Sequence, residues 1–273
     1  MLEQLKYVNH LNEVFEFGAN GVYVDENELH NFEWTVNQKG GRISSLSHAV
    51  RSRKLPVTII CETEEEGLAA RNRLMEVTEK DVLAFKPGRL IVGDYYYKCY
   101  ITKSQKKEYM KSKRSMTLTL TVTTDTPVWI KETTYYYPVE LGSDYPYLDY
   151  GYDFPIDYMP PMTVNALSNP GFVPSDFRLI IYGPFQLPVI YVGEHYYKVN
   201  CSAEEGEYLT IDSKAKTITL TGVTGETTNK FSDRDTASYI FEKIPAGNNT
   251  ISRSGAFGFD LVLLEERSEP KWT

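Results

Sequence analysis

Cysteine is scarce: three residues in 273, Cys61, Cys99 and Cys201, odd in number and not clustered. That scatter fits reduced, buried thiols made in a cytoplasm and argues against a disulfide framework. Histidine is nearly as rare, and His10, His30, His48 and His195 neither pair at i, i+4 nor stand near a cysteine at ligand spacing. No metal site and no cofactor are expected from them. Positive charge is also in deficit, with 29 Lys and Arg against 37 Asp and Glu and a formal net charge of −8. Generic attraction to nucleic-acid phosphates or to an anionic membrane is therefore not expected. No stretch approaches the roughly 20 apolar residues that a membrane helix needs. The N-terminus meets Glu3 and Lys6 before any apolar run, so no signal peptide is expected. There is no G-x-S-x-G elbow and no P-loop, and Gly18-Ala19-Asn20-Gly21 reads as a turn. A glycosidase needs two carboxylates at a defined separation, and among the 37 acids nothing singles out a pair. No catalytic residue emerges, and an enzyme is not expected.

Strand signals fill much of the rest. Residues 114–125 alternate Met116, Leu118, Leu120 and Val122 with four threonines, the period of a strand with one apolar face. Residues 13–17, 32–37 and 55–61 are further strand candidates. Gly93-Asp94 sits between two β-rich runs as a tight hairpin turn. Thr63-Glu64-Glu65-Glu66 is a capping box opening one helix, with Leu68, Arg71, Met75 and Thr78 on one side and an end near Asp81. The glutamates suit the positive end of the helix dipole. In the second half, 177–183, 187–193, 194–201, 207–212, 216–222, 238–244 and 257–266 read as short strands separated by turns, the pattern of a sandwich or jelly roll. The segments 92–98 and 192–198 look alike. Two hairpins with the same turn chemistry account for this, with a remnant of duplication as the alternative.

Between these bodies lies residues 135–162, which hold eight of the 21 tyrosines and five of the 14 prolines but no lysine or arginine. Prolines suppress regular ladders, and the abundance of rings argues against plain disorder. An ordered inter-domain strap is expected, with Tyr145, Tyr147, Tyr150 and Tyr152 packed and the carboxylates wet. A sugar-stacking platform is the alternative.

Two basic regions stand out. Lys103, Lys106, Lys107, Lys111, Lys113 and Arg114 read as a solvated connection or a contact with an acidic surface. Residues 36–56 are long, punctuated by Gly40-Gly41, and show no strong strand period. Loops of this length inside a domain are usually functional or mobile. Lys39, Arg42, Arg51, Arg53 and Lys54 meet no acid within the segment, and a basic arm on an acidic protein points to self-association.

Taken in order, "YVNHLNEVFEFG", "ELHNFEWTVNQKGGRIS", "LPVTIIC", "KPGRLIVGDYYYKCYI" and "MTLTLTVTTDTPVWIKE" resemble the N-terminal half of distal tail proteins of long-tailed bacteriophages. "NPGFVPSDFRLIIYGP", "GEYLTIDSKAKTITL", "YIFEKIPAGNNTI" and "FGFDLVLLEERSEPKW" resemble the C-terminal region of such proteins from phages and prophages of Gram-positive bacteria. The resemblance implies a mainly β chain of two β-sandwiches, the first with one α-helix and a projecting arm at 38–54, the second galectin-like. It implies a homo-hexameric ring at the virion's tail tip, made in the host bacterial cytoplasm. Such a ring joins the major tail tube protein to the tail-associated hub protein, supports receptor-binding proteins, and passes DNA without binding it specifically. The expected division is 1–132 for the ring-forming domain, 133–162 for the strap and 163–273 for the outer domain. The last is expected to fold alone, with Trp272 packed back on its sandwich. A carbohydrate-binding module without catalysis is the alternative function.

Overall fold

A computed structural model describes residues 5–107, 112–139, 165–254 and 257–271. The chain is mainly β, with one long helix, and divides into two compact units, Met1–Lys131 with Glu266–Thr273, and Glu132–Glu265. None of the helices among the described residues is long and apolar enough to cross a membrane.

The first unit contains β1 (Leu5–Val8), β2 (Val14–Glu16), β3 (Val22–Val24), β4 (Thr35–Lys39), β5 (Arg42–Ser47), β6 (Arg51–Ile60), α1 (Glu64–Ala84), β7 (Gly88–Val92), β8 (Tyr95–Lys106), β9 (Ser115–Thr124) and the start of β10 (Trp129–Tyr137). Its strands pair in the orders β10-β8-β7-β1-β2 and β8-β9-β6-β3, so β8 serves both sheets. The alternation read in the sequence of β9 is realised: Leu118, Leu120 and Val122 are buried, and the register sets Leu120 opposite Leu55 and Leu118 opposite Val57. These side chains join Leu74, Leu90, Tyr97 and Trp129 in one core.

Thr63 caps α1 as the sequence indicates: its hydroxyl accepts from the Glu66 amide, and the Glu66 carboxylate accepts from the Thr63 amide. The buried stripe matches the expected one only in part: Thr78 is buried and Arg71 and Met75 are half-buried, but Leu74, Val77 and Asp81 also face inward, whereas Leu68 is exposed. The phase is hidden because the inward face contains an aspartate. The Asp81 carboxylate is fully buried and accepts from the Tyr7 hydroxyl at 2.5 Å and the His10 amide at 2.8 Å, and it lies 2.6 Å from His10 Nδ1. A Cβ on Gly88 would collide with both Asp81 and Tyr7, so this position admits only glycine. Burial, helped by the adjacent Cys99 and Asp81, pushes the Tyr7 hydroxyl far up and keeps it a donor. The helix continues past Asp81 to Ala84, where Phe85 stops it in the left-handed region at φ 53°.

The second unit continues with β11 (Asn165–Asn169), β12 (Asp176–Tyr182), β13 (Phe185–Gln186), β14 (Val189–Val192), β15 (His195–Lys198), β16 (Ser202–Ala203), β17 (Tyr208–Asp212), β18 (Thr217–Thr221), β19 (Thr227–Asn229), β20 (Gly247–Ser254) and β21 (Phe259–Arg267). Within it β19-β18-β17-β12-β21 form one sheet and β11-β20-β14-β15 another. Leu179, Ile181, Leu209 and Ile211 from the first sheet share a core with Leu167, Ile190, Val192 and Ile251 from the second. The two look-alike segments are both two-residue hairpins opened by a glycine at positive φ, Gly93 at 55° and Gly193 at 58°.

The segment 238–244 is not a strand but a turn with one isolated bridge at Ile244. Its apolar residues still enter the core, because Ile240, Phe241 and Ile244 are buried. The bridge to Ser175, a turn bond from the Glu242 amide to the Tyr239 carbonyl and side chains share its backbone groups, with the Tyr197 hydroxyl donating to the Glu242 carbonyl at 2.8 Å. Buried Asn169 is similarly complete: its amide donates to the Ile244 and Pro245 carbonyls, and its oxygen accepts from Gly171 and Ser175.

Tyr135, Tyr136 and Tyr137, expected in the strap, belong to β10, and Tyr137 stacks on Phe259 with centroids 4.6 Å apart. The strap residues Tyr145, Tyr147, Tyr150 and Tyr152, and Trp272, lie outside the described residues.

Two predictions arise. Asp81→Ala strands a buried hydroxyl and an imidazole, and is expected to lower stability by about 2–4 kcal/mol in urea unfolding. A change under about 0.5 kcal/mol would show the network to be dispensable. A fragment of residues 132–265 is expected to unfold cooperatively and to be about 2–4 kcal/mol more stable than 163–265, which lacks Tyr137. Equal stability would remove Tyr137 from the core that holds this unit.

Candidate functional site

The long basic segment expected as an irregular arm is a β-hairpin. Lys39 and Arg42 face each other across Gly40-Gly41, whose φ values of 60° and 73° give the two positive angles that a tight hairpin turn requires. Lys39 and Arg42 therefore stand together at the tip. A register shift between Asn37 and Gln38 marks a bulge in β4. The Asn37 amide donates to the hydroxyls of Ser45 and Ser47 at 3.1 Å, tying the two strands on their polar side.

Every residue of β5 and all but the first of β4 are exposed, and the two strands pair only with each other among the described residues. Val36, Ile43, Leu46 and Val50 are 48–66% exposed. A lone two-stranded ribbon is marginally stable in water, and one that displays this much apolar surface is suited to being covered. The strand candidate at 32–37 overlaps the start of β4, but β5 escaped a strand reading because neither of its faces is buried, which erases the period-two signal. The Gly-Gly pair between two cations was a further cue in the sequence.

The base of the hairpin is held within the unit. Trp34 and His48 lie with ring centroids 4.0 Å apart, and the Arg51 guanidinium pairs with Glu33 at 2.9 Å. Burial, with the positive charge of Arg51, lowers the His48 pKa against the opposing pull of Glu266. Neutral His48 is thus favoured in the folded chain, and its contribution is lost as pH falls below the ordinary imidazole value through the depressed one.

The five basic residues split accordingly. Lys39 and Arg42 sit at the tip, while Arg51, Arg53 and Lys54 lie on β6. Arg53 is 7% exposed, donates to the Leu29 and Glu28 carbonyls, and holds its guanidinium 5.5 Å from the Tyr97 ring centroid. Burial raises the Tyr97 pKa to about 12 although Arg53 pulls it down. Lys54 shows an exposed side chain, and its backbone amide donates to the Glu28 carboxylate at 3.3 Å. In the other basic region Lys103 and Lys106 extend β8, and Lys113 pairs with Glu64 at 3.3 Å.

The cysteines are free. Cys99 and Cys201 are buried, and burial raises both thiols, Cys201 to about 11, so neither is a nucleophile near neutral pH. On the second unit, Tyr182 and Tyr208 are 41% and 37% exposed with centroids 6.5 Å apart, and the Tyr182 hydroxyl donates to Asp260 at 2.7 Å.

The chain thus consists of two antiparallel β units, the first with a single capped helix and an exposed hairpin, and solved structures share this fold over its whole length. The chain is similar to the Dit protein of phage SPP1, described as a paradigm of the hub adsorption apparatus in phages infecting Gram-positive bacteria, at a TM-score of 0.60 and 10% identity, covering 98% of this chain and all of that one. It is also similar to a chain of the phage P2 baseplate in its activated conformation, at TM-scores of 0.64 with Ca and 0.63 with Sr, with 15% identity over 99% of this chain and all of that one. No family model and no curated protein matches the sequence.

The split of the basic residues is testable. Arg53→Met is expected to cost about 2 kcal/mol of folding stability by taking the donor from the Leu29 carbonyl and the cation from the Tyr97 ring, while Lys39→Ala and Arg42→Ala stay within about 0.5 kcal/mol. Thermal and urea unfolding of the three variants decides it. Equal effects would mean that Arg53 is not a structural member of the domain.

Proposed function

We propose that this chain is a structural protein of a phage tail tip, assembled as a homo-hexameric ring through the β4–β5 hairpin. The observation that carries the reading is likeness over essentially the whole chain to a Dit protein and to a baseplate chain, in both units together. The exposed hairpin supports it independently, because a ribbon with no buried face is built to be covered by something else. In this role the first unit forms the ring and the second lies outside it, with the strap joining them. The ring connects the major tail tube protein to the tail-associated hub protein, gives receptor-binding proteins a support, and leaves a channel through which DNA passes without specific contacts. The chain performs no catalysis in this role and works in the virion after synthesis in the bacterial cytoplasm.

A second reading has one observation behind it. Tyr182, Tyr208 and Asp260 place two exposed rings beside a carboxylate, the combination that stacks on a sugar and accepts its hydroxyls. The two rings are tilted by 52°, which favours the tail-tip role over a flat sugar platform.

The purified chain is expected to form rings with a central channel in electron micrographs, at a mass of about six chains of 31.3 kDa. Antibody against it is expected to label the tail tip of virions. Uniform monomers together with unlabelled virions would overturn the reading.

A further inference from the structure

In the second unit the segment between β19 and β20 carries no strand among the described residues, yet it is held firmly. The Asp235 amide donates to the Lys198 carbonyl at 3.1 Å, and the Asn200 amide donates to the Asp233 carbonyl at 2.7 Å. Ile240, Phe241 and Ile244 anchor the same segment in the core. Between these fixed points it folds round a hollow of about 200 Å³ lined by Arg234, Asp235, Thr236, Ser238, Tyr239 and Ile240. Sites for drug-sized ligands start at roughly 300 Å³, so this one suits a single small ring.

The hollow joins one exposed aromatic ring to polar groups already set in place. Tyr239 is 56% exposed, with Phe241 packed edge-on at 6.0 Å and the Lys216 ammonium 5.4 Å from its centroid. His195 Nε2 lies 3.0 Å from the Tyr239 carbonyl, which only accepts, so this nitrogen carries a proton. The same nitrogen stands 3.2 Å from Ser238 Oγ, and that hydroxyl donates to the Tyr196 carbonyl at 2.6 Å. Ser238 therefore meets a ligand as an acceptor. Asp235 accepts from the Ala237 amide at 2.9 Å and pairs with Lys198 at 3.5 Å, which together hold its carboxyl below the ordinary value. Arg234 donates from Nη1 to the Phe231 carbonyl at 2.7 Å and keeps further N–H groups for a ligand.

A molecule that offers a C–H face to an aromatic ring and hydroxyls to mixed donors and acceptors is a sugar. The nearest alternatives fit less well. An anion would meet the Asp235 charge, and a purely apolar ligand would strand the polar wall. We propose that this hollow binds one pyranose ring of an uncharged glycan. The ring stacks on Tyr239, Asp235 and Ser238 accept from its hydroxyls, and Arg234 donates to them. Tyr182 and Tyr208 belong to β12 and β17 and take no part. Assembly of the chain at a tail tip neither needs nor forbids such a ligand, so the two readings stand or fall separately.

The test is saturation-transfer NMR on the full chain, with methyl β-glucoside, methyl β-galactoside, methyl α-rhamnoside and N-acetylglucosamine as separate probes. At least one is expected to bind, with saturation strongest on the C–H groups of one sugar face. Tyr239→Ala is expected to weaken that probe about tenfold through loss of the stacked ring, while Tyr239→Phe retains it. Asp235→Asn and Ser238→Ala alter the shape little and are expected to weaken it too; circular dichroism checks each fold. Failure of every probe to bind overturns the proposal, as does parent-like binding by Tyr239→Ala and Ser238→Ala. Displacement of the probe by inorganic phosphate would make the hollow an anion site. Loss of binding in Tyr208→Ala with retention in Tyr239→Ala would move the sugar to the other aromatic pair. Either of these results also overturns the proposal.

Discussion

β8 hydrogen-bonds to β7 and β10 over Tyr95–Cys99 and to β9 from Tyr100 onward, so one continuous strand turns from one sheet of the first unit into the other. The register shift between Ile101 and Lys103 is where it turns: one extra residue bends and twists the strand without breaking the ladder. It brings β9 and β6 over the core, and the hairpin enters at the Arg51 end of β6. The inward residues of the bend, Tyr97, Cys99 and Ile101, are buried, so moving the register by one residue would turn Lys98 and Tyr100 into the core.

The helix is fixed to this frame by polar chemistry as well as by packing. Asp81 gathers Tyr7 and His10 from the N-terminal strand and its following turn, and the absent side chain of Gly88 leaves room for them. A carboxylate with no exposure is tolerable only because hydrogen bonds replace its water. The same economy serves the second unit, where Asp176 accepts from Ser213 and pairs with Lys243 at 2.8 Å. There burial raises the Asp176 pKa, but the Lys243 and Ser213 contacts outweigh it and hold the group below its ordinary value. Its stabilising contribution is present above the ordinary carboxylate pKa and is lost as pH falls through the depressed one.

Against this frame the hairpin is the exception, a ribbon whose apolar side chains are in water and whose cations sit at its tip. Arg53, only a few residues beyond it, has the opposite fate, its charge spent on two carbonyls and an aromatic face. Neighbouring cations in the chain thus differ in role because β6 enters the sandwich between them.

By itself the sequence determined features whose cause is local. The threonine alternation in β9, the capping box at Thr63 and the glycine turns at Gly93 and Gly193 each need only neighbours a few residues away. The ordered series of segments across both halves also carried the resemblance to distal tail proteins, whose fold the chain shares. Tertiary structure alone decided the rest. The phase of α1 turns on an aspartate whose partners are 71 and 74 residues distant. β5 of the hairpin leaves no period to read, because neither of its faces is buried. Residues 238–244 have strand composition yet fill the core as a turn, their carbonyls taken by side chains from β15 and β11. Arg53 and Arg42 look alike along the chain, and what separates them is distance from the core. Burial is a property of the assembled sheets, and composition records it only where one face of an element is wet and the other dry.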